Sequence, residues 1–131
     1  MTGKTIVVVD DEPHIRHIIS RKLAGAGYTV HTASDGVEAL ALVKEVHPTL
    51  LITDLMMPQM DGLKVCAACR EDPQTREIPI IIVTGSVMTT AEIEPKLKSF
   101  RNTSCISKPF SPRELLKRVQ QLVEQDSPKA S

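Results

Sequence analysis

Five polar side chains follow or end apolar runs of the sequence, and their types suit phosphate and metal chemistry. They are Asp10, Asp11, Asp54, Thr84 and Lys108. Three carboxylates held within a few ångströms repel one another by several kcal/mol unless a hard cation neutralises them. An all-oxygen ligand set favours Mg²⁺ over zinc, and Mg²⁺ commonly links carboxylates to phosphate oxygens. A lysine and a threonine hydroxyl also bind phosphate oxygens. The set therefore predicts a magnesium site that receives a phosphoryl group.

Strands that alternate with helices are needed to bring these residues together. Aliphatic and β-branched runs at 5–9, 50–54 and 80–84 are typical of strands buried on both faces of a parallel sheet. Weaker patterns at 28–33 and 105–108 predict two further strands. Helical periodicity separates the five runs. The sequence therefore predicts a doubly wound α/β fold with a five-stranded parallel sheet.

The predicted helices differ in the strength of their signals. The last helix is the clearest, because Ser111 supplies an N-cap, Pro112 suits the first turn and Glu114 stands at the third helical position. The segment 89–100 has helical composition but contains Pro95, which costs about 3 kcal/mol inside a helix. We therefore expect that helix to be short, kinked or late.

The predicted topology explains why residues distant in sequence should share a site. Ligands of doubly wound sheets bind outside the carboxyl ends of the strands, where the strand order reverses. Four of the five predicted strands end at or just before a member of the polar set. We therefore expect these side chains to converge at one edge of the sheet.

Length and composition restrict the domain organisation. A chain of 131 residues is close to the usual size of one domain. We expect one domain over residues 1–125, followed by a polar, proline-containing tail at 126–131.

Charge and hydropathy limit the partners and the location. The 16 basic and 16 acidic residues balance, and no basic patch is evident, so we expect no direct contact with nucleic acid. None of the uninterrupted apolar runs, those at 6–9 and 80–83 included, is long enough for a membrane span or a signal peptide. These features predict a cytoplasmic protein without membrane contact.

Histidines and cysteines offer a competing chemistry that the pattern does not favour. Cys66 and Cys69 have the spacing of a metal or redox motif, but no second pair at ligand spacing accompanies them. A helix would place both on one face, where small apolar side chains pack. The four histidines are interpreted as surface or helix-face residues; they are His14, His17, His31 and His47.

The motifs around the polar set resemble those of the response-regulator receiver domain. They are Val-Val-Asp10-Asp11-Glu12-Pro13, Asp54 followed by Met57-Pro58 and Asp61-Gly62, Thr84-Gly85, and Lys108-Pro109-Phe110. The resemblance extends over about residues 4–125. It implies a flavodoxin-like fold with the strand order 2-1-3-4-5, as in the chemotaxis receivers.

The resemblance also implies a role for each member of the polar set. Asp54 resembles the phosphoacceptor, and Thr84 and Lys108 resemble the switch hydroxyl and the phosphate-pairing lysine. The implied metal-site residues are Asp10, Asp11, Asp54 and the backbone carbonyl of Met56, with Asp11 a direct ligand and Asp10 acting partly through water. The resemblance further implies a cis peptide bond between Lys108 and Pro109.

The implied function is that of a phosphoacceptor in two-component or phosphorelay signalling. Asp54 would take a phosphoryl group from a histidine kinase or a histidine phosphotransfer protein in a Mg²⁺-dependent reaction, and the domain would then switch its contacts with a downstream protein. Such a domain is not an enzyme beyond its own phosphorylation and dephosphorylation. One alternative is an interaction scaffold that no longer cycles phosphate. Another is an aspartyl phosphohydrolase, which is disfavoured because Met56 stands where a second aspartate would be needed.

Overall fold

Strands and helices alternate along the chain in the computed structural model, which describes residues 4–57, 60–85, 90–98, 100, 102–108 and 110–125. The strands are β1 (Thr5–Val9), β2 (Thr29–Ala33), β3 (Leu50–Asp54), β4 (Ile80–Thr84) and β5 (Thr103–Ser107). The helices are α1 (Pro13–Gly25), α2 (Gly36–Val46), α3 (Gly62–Glu71), α4 (Thr90–Leu97) and α5 (Pro112–Gln125). The alternation predicted from the sequence is confirmed.

All five strands pair in parallel in the order β2-β1-β3-β4-β5, so the predicted fold class and strand order are confirmed. The chain runs from β1 outward to β2 and then crosses back to β3. The strand order therefore reverses between β1 and β3, and the crevice beyond their carboxyl ends is the expected ligand position. The register places Val9 beside Thr53 and Asp54 beside Val83, which brings the ends of β1, β3 and β4 to one edge.

The core has two layers, one on each face of the sheet. Alternate residues of β1 point to opposite faces: Val7 and Val9 pack with the cluster that includes α2, α3 and α4, and Ile6 and Val8 pack with α1 and α5. The strands β3 and β4 are buried at every position. Burial on both faces explains why their sequences are continuous apolar runs and not alternating ones.

The boundaries of two predicted strands differ from the structure. Strand β2 begins at Thr29, and Tyr28 is buried just before it. Strand β5 extends back to Thr103 and ends at Ser107, so Lys108 directly follows it. The polar residues Thr103 and Ser104 have weak strand signals of their own, but they pair with Ile80 and Ile81 of β4. The neighbouring strand therefore decides their conformation.

Helices α5 and α4, which have the clearest sequence signal and an internal proline respectively, both form. Helix α5 begins with a reciprocal capping box: the Glu114 amide donates to Ser111 Oγ at 3.0 Å, and the Ser111 amide donates to Glu114 Oε1 at 3.3 Å. Helix α4 is eight residues long and contains Pro95, so the prediction of a short helix is confirmed.

None of the helices in the described residues is long and apolar enough to span a bilayer.

The cysteine pair of α3 is part of the core. Cys66 and Cys69 are both buried free thiols in the cluster beneath α2 and α3. Burial raises the pKa of the Cys66 thiol to about 12, which keeps it protonated and weakly nucleophilic at neutral pH. The interpretation of this pair as packing residues is confirmed.

Candidate functional site

The three predicted carboxylates meet in the crevice beyond β1 and β3. One ligand atom from each of Asp10, Asp11 and Asp54 lies within 4.8 Å of the other two. Asp10 and Asp54 are buried, and Asp11 is exposed. Asp10 and Asp11 directly follow β1, and Asp54 is the last residue of β3, so the strand order brings them together.

Asp54 lies at the centre of the site and is held through both of its carboxylate oxygens. The Leu55 amide donates to Asp54 Oδ1 at 2.9 Å. The Lys108 ammonium donates to Asp54 Oδ2 at 3.3 Å. The residue is only 7% exposed, so its carboxylate is largely shielded from solvent.

Lys108 connects the end of β5 to both buried carboxylates. Its amide donates to the Thr84 carbonyl at 2.7 Å, which ties the ends of β4 and β5 together. Its ammonium lies 3.7 Å from Asp10 Oδ2 in addition to its bond with Asp54. Thr84 is the last residue of β4 and is fully buried. The lysine therefore already acts as a countercharge in the absence of phosphate.

Burial and like charge together define the electrostatics of the site. Burial raises the pKa of Asp54, and the adjacent Asp10 carboxylate raises it further, against the opposing effect of Lys108. Burial also raises the pKa of Asp10, although the hydrogen bond from the Glu12 amide favours its ionised form. The three carboxylates and Lys108 together leave two uncompensated negative charges. That residual charge and the all-oxygen donor set fit a divalent hard cation such as Mg²⁺.

Lys108 should contribute measurably to the stability of the metal-free protein. Burial by itself would lower the pKa of Lys108, but Asp54 and Asp10 together raise it above the ordinary 10.5. We expect Lys108→Ala to reduce the free energy of unfolding at pH 7 by about 2 kcal/mol, because two buried carboxylates lose their cation. Chemical denaturation in a chelating buffer measures the change.

The same measurement as a function of pH tests the cause. A cation whose pKa is raised on folding stabilises the protein below its unfolded-state pKa, and this contribution is lost as pH rises through the folded-state value. The difference between wild type and Lys108→Ala should therefore shrink above pH 10.5. Lys117→Ala, on the exposed side of α5, is the control and should show little effect at any pH. A difference that persists unchanged at high pH would contradict the pairing.

A glycine at the start of α3 allows the backbone to approach the site closely. The Gly62 amide donates to the Leu55 carbonyl at 2.8 Å. A Cβ atom at Gly62 would lie 2.6 Å from the Asp54 carbonyl oxygen and 3.1 Å from Leu55 Cα. Both neighbours are backbone atoms, so they cannot move aside as a flexible side chain would. This position requires glycine for α3 to pack against the end of β3.

The structure places the remaining predicted residues as follows. The Met56 side chain is 53% exposed at the rim of the crevice, and the role of its carbonyl as a ligand stays a prediction. Pro109 and the tail at 126–131 lie outside the described residues, as does the predicted cis bond. Among the described residues, the carboxylate cluster contains no histidine, and His14, His17 and His47 are exposed.

Sequence reasoning missed two residues that support the site. Gly62 entered the sequence analysis as part of the Asp61-Gly62 motif, but its close approach to Asp54 was not predicted. Arg16 was not singled out, although its guanidinium donates to the Asp10 carbonyl at 2.7 Å. The only signal in the sequence is that an arginine follows the aspartate pair within the first two turns of α1. Such arginines are common on helix surfaces, so the contact could not be inferred from spacing alone.

The fold and the acidic crevice define the class of a receiver-type signalling domain, and comparison with known proteins agrees. Residues 6–120 match the response regulator receiver domain family. The chain is 36% identical over 120 residues to the DNA-binding dual master transcriptional regulator RpaA of Synechocystis sp., covering 90% of this chain and 48% of that protein. It is 35% identical over 130 residues to the phosphate regulon transcriptional regulatory protein PhoB of Pseudomonas aeruginosa, covering 98% of this chain and 55% of that protein.

Solved structures show the same similarity. The chemotaxis response regulator CheY4 of Vibrio cholerae superposes with a TM-score of 0.84 at 36% identity, covering 92% of this chain and 99% of that chain. This chain therefore belongs to the response regulator receiver domain family. Receiver domains are phosphoacceptor modules of two-component signalling and are not enzymes in the ordinary sense. The chain spans about half the length of the curated relatives it matches.

Proposed function

We propose that Asp54 is the phosphoacceptor of this receiver and that phosphorylation requires Mg²⁺. The observation that carries the proposal is the position of Asp54: its carboxylate lies at the centre of the crevice, beside Asp10 and Asp11 and in contact with Lys108. The phosphoryl donor is a histidine kinase or a histidine phosphotransfer protein, and a small acyl phosphate can replace it. The phosphorylated domain then changes its contacts with a downstream protein.

The transfer forms one bond and breaks one. A carboxylate oxygen of Asp54 attacks phosphorus, and the bond from phosphorus to the donor nitrogen or acyl oxygen breaks, with its electron pair leaving on the donor. Lys108, already 3.3 Å from the carboxylate, is placed to bind the transferred oxygens. Thr84, at the end of β4, would supply a hydroxyl to the same group.

The metal would be held by the carboxylates of Asp11 and Asp54 and by the Met56 carbonyl, with Asp10 acting partly through water. A bound Mg²⁺ supplies positive charge that stabilises the phosphoryl oxygens. The different surroundings of the two aspartates after β1 support this division. Asp11 is exposed and its carboxylate has no hydrogen-bond partner within the described ranges, whereas Asp10 is buried and already accepts from the Glu12 amide.

This division predicts unequal losses of metal affinity. We expect Asp11→Ala to weaken Mg²⁺ binding by about 100-fold, because a direct ligand is removed, and Asp10→Ala to weaken it by about 10-fold. Calorimetric titration of Mg²⁺ into the metal-free variants measures both constants. Equal losses in the two variants would contradict the assignment of Asp11 as the direct ligand.

Incubation with Mg²⁺ and a small acyl phosphate tests the proposed function. The expected result is a stable adduct of one phosphoryl group, located at Asp54 by mass spectrometry and absent when a chelator replaces Mg²⁺. Absence of any adduct would favour the interaction scaffold, and rapid turnover without accumulation would favour a phosphohydrolase.

The names of the two relatives described above bear on whether this chain contacts nucleic acid. Both curated relatives are named as transcriptional regulators, and one of them as DNA-binding. The expected lack of nucleic-acid contact therefore stays a prediction for this chain, and the downstream protein partner belongs to the same proposal.

A further inference from the structure

Arg16 on α1 reaches back to the end of β1 and contacts the backbone beside the candidate metal site. Its Nη1 donates to the carbonyl oxygen of Asp10 at 2.7 Å, in a partly buried position. A hydrogen bond from a charged donor at this distance is stronger than a neutral one. The Arg16 amide donates to the Glu12 carbonyl at 3.1 Å. The backbone and the side chain of Arg16 therefore both form hydrogen bonds with the segment that connects β1 to α1.

The backbone amide, the backbone carbonyl and both carboxylate oxygens of Asp10 each interact with a neighbouring group. Its amide donates to the Ala33 carbonyl at 3.2 Å, and its Oδ1 accepts from the Glu12 amide at 2.9 Å. Its Oδ2 lies 3.7 Å from the Lys108 ammonium. Asp10 follows the last residue of β1, so its carbonyl is outside that strand. Arg16 supplies a charged donor to this carbonyl.

The contact also determines where Asp11 is placed. A peptide unit is planar, so the position of the Asp10 carbonyl oxygen sets the direction in which the chain continues to the Asp11 Cα. Asp11 itself is exposed, and no neighbouring side chain in the described part of the chain holds its carboxylate. The orientation of the Asp10–Asp11 peptide is therefore the main restraint on the exposed member of the carboxylate cluster.

We propose that Arg16 is a positioning residue for the metal site: its hydrogen bond to the Asp10 carbonyl holds the Asp10–Asp11 peptide so that both carboxylates face the same cation as Asp54. This inference rests on the proposed function, because it assumes that the crevice binds Mg²⁺. Groups that orient metal ligands without touching the metal contribute about 10–100-fold to metal affinity.

The charge of Arg16 and its geometry have opposite effects on metal affinity. A guanidinium near the site repels a cation, so removing its charge would by itself strengthen Mg²⁺ binding. Removing the hydrogen bond would release the Asp10–Asp11 peptide and weaken binding. The direction of the change therefore distinguishes a positioning role from a purely electrostatic one.

Calorimetric titration of Mg²⁺ into metal-free wild type, Arg16→Met and Arg21→Met tests the proposal. Arg21 lies exposed on the same helix, so its variant removes the same charge without removing the contact. We expect the dissociation constant to rise about 10-fold in Arg16→Met and to change little in Arg21→Met. Unchanged or tighter binding in Arg16→Met would overturn the proposal. If Arg16→Met does not fold, Arg16→Gln decides, because its shorter side chain is also uncharged: weaker binding supports the proposal, and unchanged or tighter binding overturns it.

Amide hydrogen exchange in the metal-free proteins gives a second readout that does not depend on the metal. The amides of Asp10 and Glu12, which donate to the Ala33 carbonyl and to Asp10 Oδ1, should exchange about 10-fold faster in Arg16→Met, with β2 and α5 unchanged. Uniformly faster exchange throughout the chain would show a general loss of stability and contradict a positioning role. A wild-type protein that binds no Mg²⁺ would overturn the proposed function and this inference with it, whereas failure of the Arg16 variants alone would leave the proposed function standing.

Discussion

Asp54→Asn is expected to abolish phosphoryl incorporation while the protein stays folded. The substitution keeps the shape of the side chain and removes the nucleophilic carboxylate. Mass spectrometry after treatment with Mg²⁺ and a small acyl phosphate should show no adduct. Asp35→Asn is the matched control, because Asp35 caps α2 outside the crevice and asparagine is an equally good N-cap. An undiminished adduct in Asp54→Asn would contradict the assignment.

The same variant should be more stable than wild type when the metal is removed. The Asp54 carboxylate and a neighbouring carboxylate about 5 Å away repel by roughly 3 kcal/mol at an effective dielectric constant of about 20. The substitution removes this repulsion, but it also removes the attraction between Asp54 and Lys108, which offsets part of the gain in stability. We expect a net gain of about 1 kcal/mol in the free energy of unfolding at pH 7 for the metal-free protein.

The pH dependence of this gain follows from the direction of the pKa shift. The pKa of Asp54 is raised on folding, so its ionisation costs stability above the folded-state pKa, and the cost disappears as pH falls toward the ordinary value of 3.8. The advantage of Asp54→Asn over wild type should therefore shrink as pH is lowered. Urea denaturation at several pH values in a chelating buffer measures the trend, and an advantage that grows on acidification would contradict it.

Gly62→Ala is expected to destabilise the protein by about 3 kcal/mol and to slow phosphorylation. The added Cβ would lie 2.6 Å from the Asp54 carbonyl oxygen, so either α3 or the end of β3 must move. Because Asp54 is itself displaced, the phosphorylation rate should fall together with the stability. Urea denaturation and the rate of adduct formation measure the two effects.

Gly25→Ala provides the matched control for that substitution. Gly25 ends α1, and apart from its chain neighbours and its own helix backbone no atom of the described residues lies within 4 Å of a Cβ built there. Alanine is favoured over glycine in helices, so this variant should be neutral or up to about 1 kcal/mol more stable. If Gly62→Ala behaved like Gly25→Ala, the close approach of α3 to β3 would not constrain the site.

Short stretches of the sequence predict the individual strands and helices and the residue types that end the strands. The bounds predicted for β1, β3 and β4 are confirmed, because burial on both faces gives each of these strands a continuous apolar run with polar residues only at its ends. The start of α5 was predicted from a capping box whose two hydrogen bonds join residues three positions apart. Local chemistry of this kind is fully contained in a short stretch of sequence.

Which of these residues come into contact depends on how the strands and helices pack in the tertiary structure. Composition and periodicity did not determine the strand order, which at the sequence level came from the resemblance to receivers. Lys108 and Asp54 are 54 positions apart, and their ion pair exists because β3, β4 and β5 are adjacent and in register. The contact of Arg16 with the Asp10 carbonyl and the approach of Gly62 to Asp54 depend on the angles at which α1 and α3 leave the sheet. Those angles result from packing against the whole core, so no pattern confined to a short segment could have predicted them.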